Sequence, residues 1–274
     1  MKEPKIIYYS DEGTDDFART NINTQKIDKD FAFVNRNIFW RFASFLAYYV
    51  VALPIVYVVA KVFLGLKIKN RKAVRRLVLS RRGFFLYGNH TQMLDAFVPP
   101  MAAYPAKAYT IANADAVSIK GLRQLVLMLG GLPIPNTVSA MPEFSRSVET
   151  RWKQRGCVSI YPEAHIWPFY TKIRDFGTVS FRYPARLNAP VLAMVTTYRK
   201  RRGLYRLFGR PAMTVTISDP IEPDENLSVK EKMEYLRNEV YRFMTEVSER
   251  EENVEYIKYV RRDPEADEKQ RDEA

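Results

Sequence analysis

The chain's 274 residues, 47% hydrophobic and 13% aromatic, are enough for a buried core and one catalytic domain with an appendage. A single cysteine, Cys157, excludes an intramolecular disulfide framework and a cysteine zinc cluster. With 11 glycines and neither G-x-x-x-x-G-K-S/T nor G-x-G-x-x-G, nucleotide cradles are excluded too. The net charge of +12 is uneven: residues 1–221 hold 33 basic and 14 acidic side chains, and residues 222–274 hold 10 and 17. The larger, basic part calls for an anionic partner: nucleic acid, anionic lipid or a phosphorylated small molecule.

Residues 1–35 are polar, with acids at Asp11, Glu12, Asp15 and Asp16, and lack the apolar stretch of a cleavable signal peptide. They read as a lead-in with a short helix. Residues 42–60 carry no charge, and these 19 residues as a helix span about 28 Å, close to the hydrocarbon thickness of a bilayer. Pro54 interrupts the run, and Trp40, Tyr48, Tyr49 and Tyr57 suit a membrane interface. A single span and a kinked hairpin dipping into one leaflet both fit, with a buried core helix as the alternative. From Lys61 to Arg82 there are nine basic residues and no acid. Directly after an apolar run, that pattern reads as anchoring to anionic headgroups on the cytoplasmic face, each charge worth about 1 kcal/mol near the surface. Residues 36–82 are therefore expected to form a membrane-associated helical segment with a basic flank.

The stretch Gly83–Asp95, GFFLYGNHTQMLD, joins a buried strand (Phe84–Tyr87) to a turn at Gly88-Asn89 and then to His90 and Asp95. Helical spacing at Met93, Leu94, Phe97 and Val98 ends at Pro99-Pro100. Five residues rotate a regular helix by about 140°, so His90 and Asp95 meet only if His90 lies at or before the first turn. A carboxylate accepting from one ring nitrogen then leaves the other free to take a proton. Further strands are expected at 107–112, 157–161, 190–198 and 213–218, with helices at 119–129, 142–154, 177–187 and 228–250. Strands alternating with helices give an α/β fold. Tyr161-Pro162-Glu163 repeats the pattern of the first site, presenting a carboxylate where a strand breaks, and ligand sites in such sheets gather at the strands' carboxyl ends. Arg199–Arg210, with six basic residues among Leu204, Tyr205, Leu207 and Phe208, suits a loop lying on headgroups, or equally a solvated hairpin turn.

Gly88-Asn89-His90 with Asp95, then Tyr161-Pro162-Glu163, then Ala189-Pro190-Val191, together resemble three signature blocks of the glycerolipid acyltransferases, most nearly the lysophosphatidic acid (1-acylglycerol-3-phosphate) acyltransferases. The resemblance spans roughly residues 38–220. It implies a mixed central sheet flanked by helices with an N-terminal membrane-embedded segment. It also implies acyl transfer from acyl-CoA or acyl carrier protein to a lysophospholipid hydroxyl, with no cofactor and no metal. His90 would be the general base and Asp95 its orienting acid, with N–H groups near the helix start holding the oxyanion. Asn89 and Asn136 would contact substrate, and Glu163 would orient the acceptor or its loop, counting with them among the substrate-binding residues. Two departures stand out: Asn136 occupies the place of the second block's arginine, and Glu163-Ala164-His165-Ile166 replaces the third block's E-G-T-R. Lys172 and Arg174 could supply the missing phosphate clamp, or the acceptor lacks that phosphate and is a lysophospholipid with a larger headgroup or a glycolipid. His165 and Trp167 would shape the acceptor pocket, or Trp167 plays a structural role. The expected partners are membrane lipids, the acyl donor and a lyso-lipid. No zinc-finger or RNA-binding signature accompanies the charge, so nucleic acid is not expected. A non-enzymatic, membrane-anchored basic module is the remaining alternative. The corresponding divisions are 1–35, 36–82, the catalytic 83–222, a C-terminal helical extension 223–262, and a charged tail 263–274.

Overall fold

The computed structural model describes residues 4–17 and 24–262, so the charged tail expected at 263–274 lies outside the described residues. Strand β1 (Lys5–Tyr9) stands in the segment where a short helix was expected. Two isoleucines followed by two tyrosines favour an extended chain. A two-stranded ribbon is marginal alone, and this one, formed by parallel pairing of β1 with β9 (Ile257–Arg261), lies against the fully buried Trp167 through Tyr9 and Tyr259.

Helix α1 (Ile38–Phe45) starts at Asn37, whose side chain accepts from the N–H groups of Phe39 and Trp40. It runs through a π turn (Leu46–Ala52) into α2 (Leu53–Val62) without a break. The widened turn, in which Leu53 N–H reaches back to Tyr48, puts Pro54 in the opening positions of α2, where a missing N–H costs little. The result is one helix, Ile38–Val62, and not a hairpin. Only 11% of its apolar window is buried inside the protein, which rules out an ordinary core helix. Its inner face is nonetheless tied down. Ser44 donates to the Met128 carbonyl, Tyr48 accepts from Ala108 N–H, and Tyr49 donates to the Pro105 carbonyl.

The basic run that follows is not a simple flank. It folds into β2 (Lys67–Lys69) and α3 (Arg71–Leu79), with Ala73, Val74 and Leu77 inward and the cations outward. Then come β3 (Phe84–Gly88), α4 (Val98–Ala103), β4 (Ala108–Ala112), α5 (Arg123–Met128) and β5 (Gly131–Pro133). Pro99 and Pro100 open α4 and do not stop a helix, because the first turn has no partner for their absent N–H groups. The chain continues with α6 (Met141–Lys153), β6 (Cys157–Ile160), α7 (Arg182–Leu187), β7 (Val191–Arg199), β8 (Ala212–Ile217) and α8 (Val229–Arg250).

Seven strands make one mixed sheet in the order β2-β8-β7-β3-β6-β4-β5. All neighbours are parallel except β7 and β8, which form an antiparallel hairpin. Phe84–Gly88 is buried throughout, as a central parallel strand covered on both faces must be. One apolar layer packs α6, α7 and α8 on the sheet, and the other packs α3 and α4 on the opposite face. Helix α8, expected as an extension, supplies Leu236, Val240, Met244 and Val247 to the first layer and is part of the domain core. Its start is fixed by a capping box between Ser228 and Glu231. Leu236→Ala should therefore destabilise the whole domain by about 2–5 kcal/mol in urea unfolding; a dispensable extension would give no loss.

Candidate active site

Strands β3 and β6 are adjacent and parallel, so the loops leaving their carboxyl ends emerge side by side. The first carries His90 and Asp95, the second Glu163. Gly88 closes β3 because a side chain there would not fit: a Cβ would lie 2.9 Å from the Tyr161 ring and 2.5 Å from Met194 Cε. Asn89 turns inward, nearly fully buried. Its amide donates to the Thr196 carbonyl at 3.1 Å and accepts from Thr196 N–H at 2.8 Å. Both ends of the side chain are thus engaged by β7, a cross-link that holds the strand end.

The imidazole of His90 places Nδ1 3.3 Å from Asp95 Oδ2, and the ring stacks on Tyr161 at 4.6 Å between centroids. His90 remains 17% exposed and Asp95 2%, so the base reaches solvent and the acid does not. The turn that brings them together is short. Asp95 lies in a 3-10 helix (Met93–Phe97), and its Oδ2 also accepts from Thr91 N–H at 2.6 Å and Gln92 N–H at 2.7 Å. Those two donors fold the chain back far enough for a five-residue separation to close. Tyr161 completes the cage by donating its hydroxyl to the Asp95 carbonyl at 2.6 Å. Tyr198, fully buried, donates to Thr91 Oγ1 at 2.8 Å.

Glu163 acts on the same loop from the other side. Its Oε2 accepts from His90 N–H at 3.1 Å, and its carboxylate pairs with Arg174, each side chain only 1% exposed. Burial pushes the Glu163 carboxyl above the ordinary range, while Arg174 and the two backbone N–H groups of His90 and Arg174 oppose that rise. Arg174 is further committed to the carbonyls of His165 and Glu12. Neither Glu163 nor Arg174 faces an open surface. They are the rivet between the two loops. The N–H groups of Trp167 and Phe169 add parallel links to the carbonyls of His90 and Thr91, at 3.2 and 3.0 Å. Trp167 is fully buried, with its indole N–H on the Asp15 carbonyl, so it seats the terminal ribbon and not a pocket. His165 is about a third exposed, 3.7 Å from Asp16.

Asn136 is likewise engaged. Its side chain accepts from Ile27 N–H at 2.8 Å and donates to the Gln25 carbonyl at 2.9 Å, clamping the N-terminal segment across the end of β5. Lys172 alone of the expected substrate contacts is an exposed cation. The N–H groups of His90, Thr91 and Gln92 are all taken by Asp95 and Glu163, so the oxyanion donors expected at the helix start are not found in those three residues. Cys157 opens β6, buried, and His165 follows that strand's far end, which excludes a cysteine–histidine nucleophile pair.

An apolar cavity of about 220 Å³ lies beside this loop. Ala96 and Phe97, which follow Asp95, form one wall, and Tyr48, Leu53 and Val56 of the N-terminal helix form another. No signal in the sequence pairs these elements, because the contact joins segments some forty residues apart.

Ala164 adopts φ of 63° where the resembling blocks carry glycine. A side chain in this left-handed region costs about 1–2 kcal/mol. Ala164→Gly should accordingly raise stability by up to about 1 kcal/mol, after the larger unfolded-state entropy of glycine is subtracted, measured by thermal unfolding. Arg174→Met, which strands a buried carboxylate, should cost about 3–5 kcal/mol in the same measurement.

No protein-family model and no curated protein sequence matches the chain. Among solved structures, the chain is similar to the 1-acyl-sn-glycerophosphate (LPA) acyltransferase PlsC from Thermotoga maritima. The TM-score is 0.53 at 21% identity, over 81% of this chain and 92% of that one. The fold of this protein is therefore that of a PlsC-like α/β domain: a mostly parallel central sheet flanked by helices, with an apolar N-terminal helix.

Proposed function

We propose that this chain is a membrane-associated O-acyltransferase of phospholipid synthesis, moving a fatty acyl group from an acyl thioester to the hydroxyl of a lyso-lipid. One observation carries the reading: a solvent-reaching imidazole held 3.3 Å from a buried carboxylate, at the carboxyl edge of parallel strands. The likeness to PlsC and the adjoining apolar cavity support it.

With Asp95 accepting from Nδ1–H, the lone pair on Nε2 is free to take the acceptor's hydroxyl proton. The resulting alkoxide attacks the thioester carbonyl. Collapse of the tetrahedral intermediate breaks the C–S bond, and the imidazolium returns its proton to the departing thiolate. The cavity beside Phe97 suits a hydrocarbon chain, being lined almost wholly by apolar atoms.

The surface supports attachment to one face of a bilayer. Helix Ile38–Val62 exposes Phe39, Phe42, Phe45, Val50, Ile55 and Val58, while its inner face is hydrogen-bonded to the domain. A helix tied down along its length lies in the interface and does not cross alone. The β7–β8 loop continues the patch: Leu204 and Leu207 are exposed, and Phe208 packs on Phe63 at 5.8 Å. The basic surface beside it fits the anionic cytoplasmic leaflet.

A second acceptor class has its own support. Asn136 is tied to residues 25 and 27 and Arg174 to Glu163, which favours a lyso-lipid recognised other than by an arginine on a phosphate monoester. Purified protein given a labelled acyl donor and a panel of lyso-lipids decides between them, since a strict preference for lysophosphatidic acid removes the second class. In the same assay His90→Ala should lose at least about a hundredfold in kcat with unchanged unfolding temperature, and Asp95→Asn should lose a similar factor. Retained activity in His90→Ala would overturn the mechanism.

A further inference from the structure

At the opposite ends of the same strands, away from His90, lies a much larger groove of about 1530 Å³ between helix α1 and helix α6. Its walls are of two kinds. Along one run Phe39, Phe42 and Phe45, 81%, 63% and 52% exposed, on the same helix face that the lipid-facing patch uses. The other side is cationic. Arg41, Lys107 and Arg151 stand among seven basic lining residues, against the single acid Glu143, which is already paired with Arg146.

Two of these cations are set into the protein in a way that solvated surface charges are not. Arg151 is nine-tenths buried: its guanidinium lies 4.6 Å from the centre of the Tyr109 ring and donates to the Phe33 carbonyl and to Gln154, yet its Nε–H has no partner. Lys107 donates to Ser44 and to the Met128 carbonyl and lies over the Tyr48 and Tyr109 rings, with no carboxylate beside it. Burial and the nearby Arg151 pull its ammonium down to about 8. Buried or half-buried cations that face carbonyls, a hydroxyl and aromatic rings lack a counter-charge among the described residues.

We infer that this groove is a second, non-catalytic binding site for an anionic phospholipid of the membrane, its phosphate meeting Arg41, Lys107 and Arg151 and its chains lying along Phe39, Phe42 and Phe45. Apolar and cationic walls meeting in one groove match an amphiphile better than a free anion. The groove opens beside the helix that lies on the bilayer, so a lipid reaches it without leaving the leaflet. Occupancy supplies the missing negative charge between α1 and α6 and fastens the helix to the domain.

The test is titration of the detergent-solubilised full chain with dihexanoyl phosphatidylglycerol, dihexanoyl phosphatidylcholine and inorganic phosphate, followed by calorimetry. Saturable binding of phosphatidylglycerol is expected at one site per chain, with phosphate and phosphatidylcholine each much weaker. Arg41→Gln and Arg151→Gln should each weaken it about tenfold, the loss of one charge-assisted hydrogen bond, while His90→Ala leaves it unchanged. Arg41 is exposed, so its variant reports even if Arg151→Gln fails to fold. Unchanged affinity in Arg41→Gln would overturn the proposal. So would phosphatidylcholine or phosphate binding as tightly as phosphatidylglycerol, or loss of binding in His90→Ala, which would put the lipid at the catalytic edge.

Discussion

Two buried carboxylates at the ends of neighbouring strands hold this molecule's candidate site together. Asp95 and Glu163 are shut off from water, so the donors that meet them come from the protein itself. The donors at hand are the backbone N–H groups of the loops themselves. Asp95 collects those of Thr91 and Gln92, and Glu163 collects those of His90 and Arg174. Each acid thereby spends its charge on fixing the loop that carries the imidazole, one at the ring and one at the main chain. The Arg174 guanidinium balances Glu163.

That division explains why the residues nearest His90 are so fully occupied. Asn89 is bonded at both ends to β7, Tyr161 lies under the ring and bonds to Asp95, and Tyr198 braces Thr91. Such bracing holds the imidazole in one orientation. The chain departs from the resembling blocks at Asn136, which is bonded to residues 25 and 27, and at residues 164–166, beside the Glu163–Arg174 pair.

The N-terminal helix couples chemistry to surface. Its outward face is apolar and aromatic, while its inward face contributes Tyr48, Leu53 and Val56 to the cavity beside the Asp95 loop and Ser44 to the cationic groove. A single element therefore borders the exposed apolar surface and both of these hollows.

Much of this was legible in order along the chain. The apolar runs at 84–87, 157–161, 190–198 and 213–218 became β3, β6, β7 and β8. The amphipathic face from Met233 to Val247 became a core helix, and His90 and Asp95 could be paired from spacing plus the strand-to-turn transition. Such features are local: burial periodicity, caps and turns act over a few residues. Other features were decided only by contacts between remote segments. The parallel pairing of β1 with β9 joins the two ends of the described chain, and no local pattern announces it. Whether Glu163 and Arg174 face a substrate or one another, and whether Asn136 grips a phosphate or the chain at residues 25–27, depends on which donors the fold brings within hydrogen-bond reach. Side-chain type and spacing along the chain decide which groups are able to act. Only tertiary packing, by burying some charges and leaving others in water, decided which of them are free to do so.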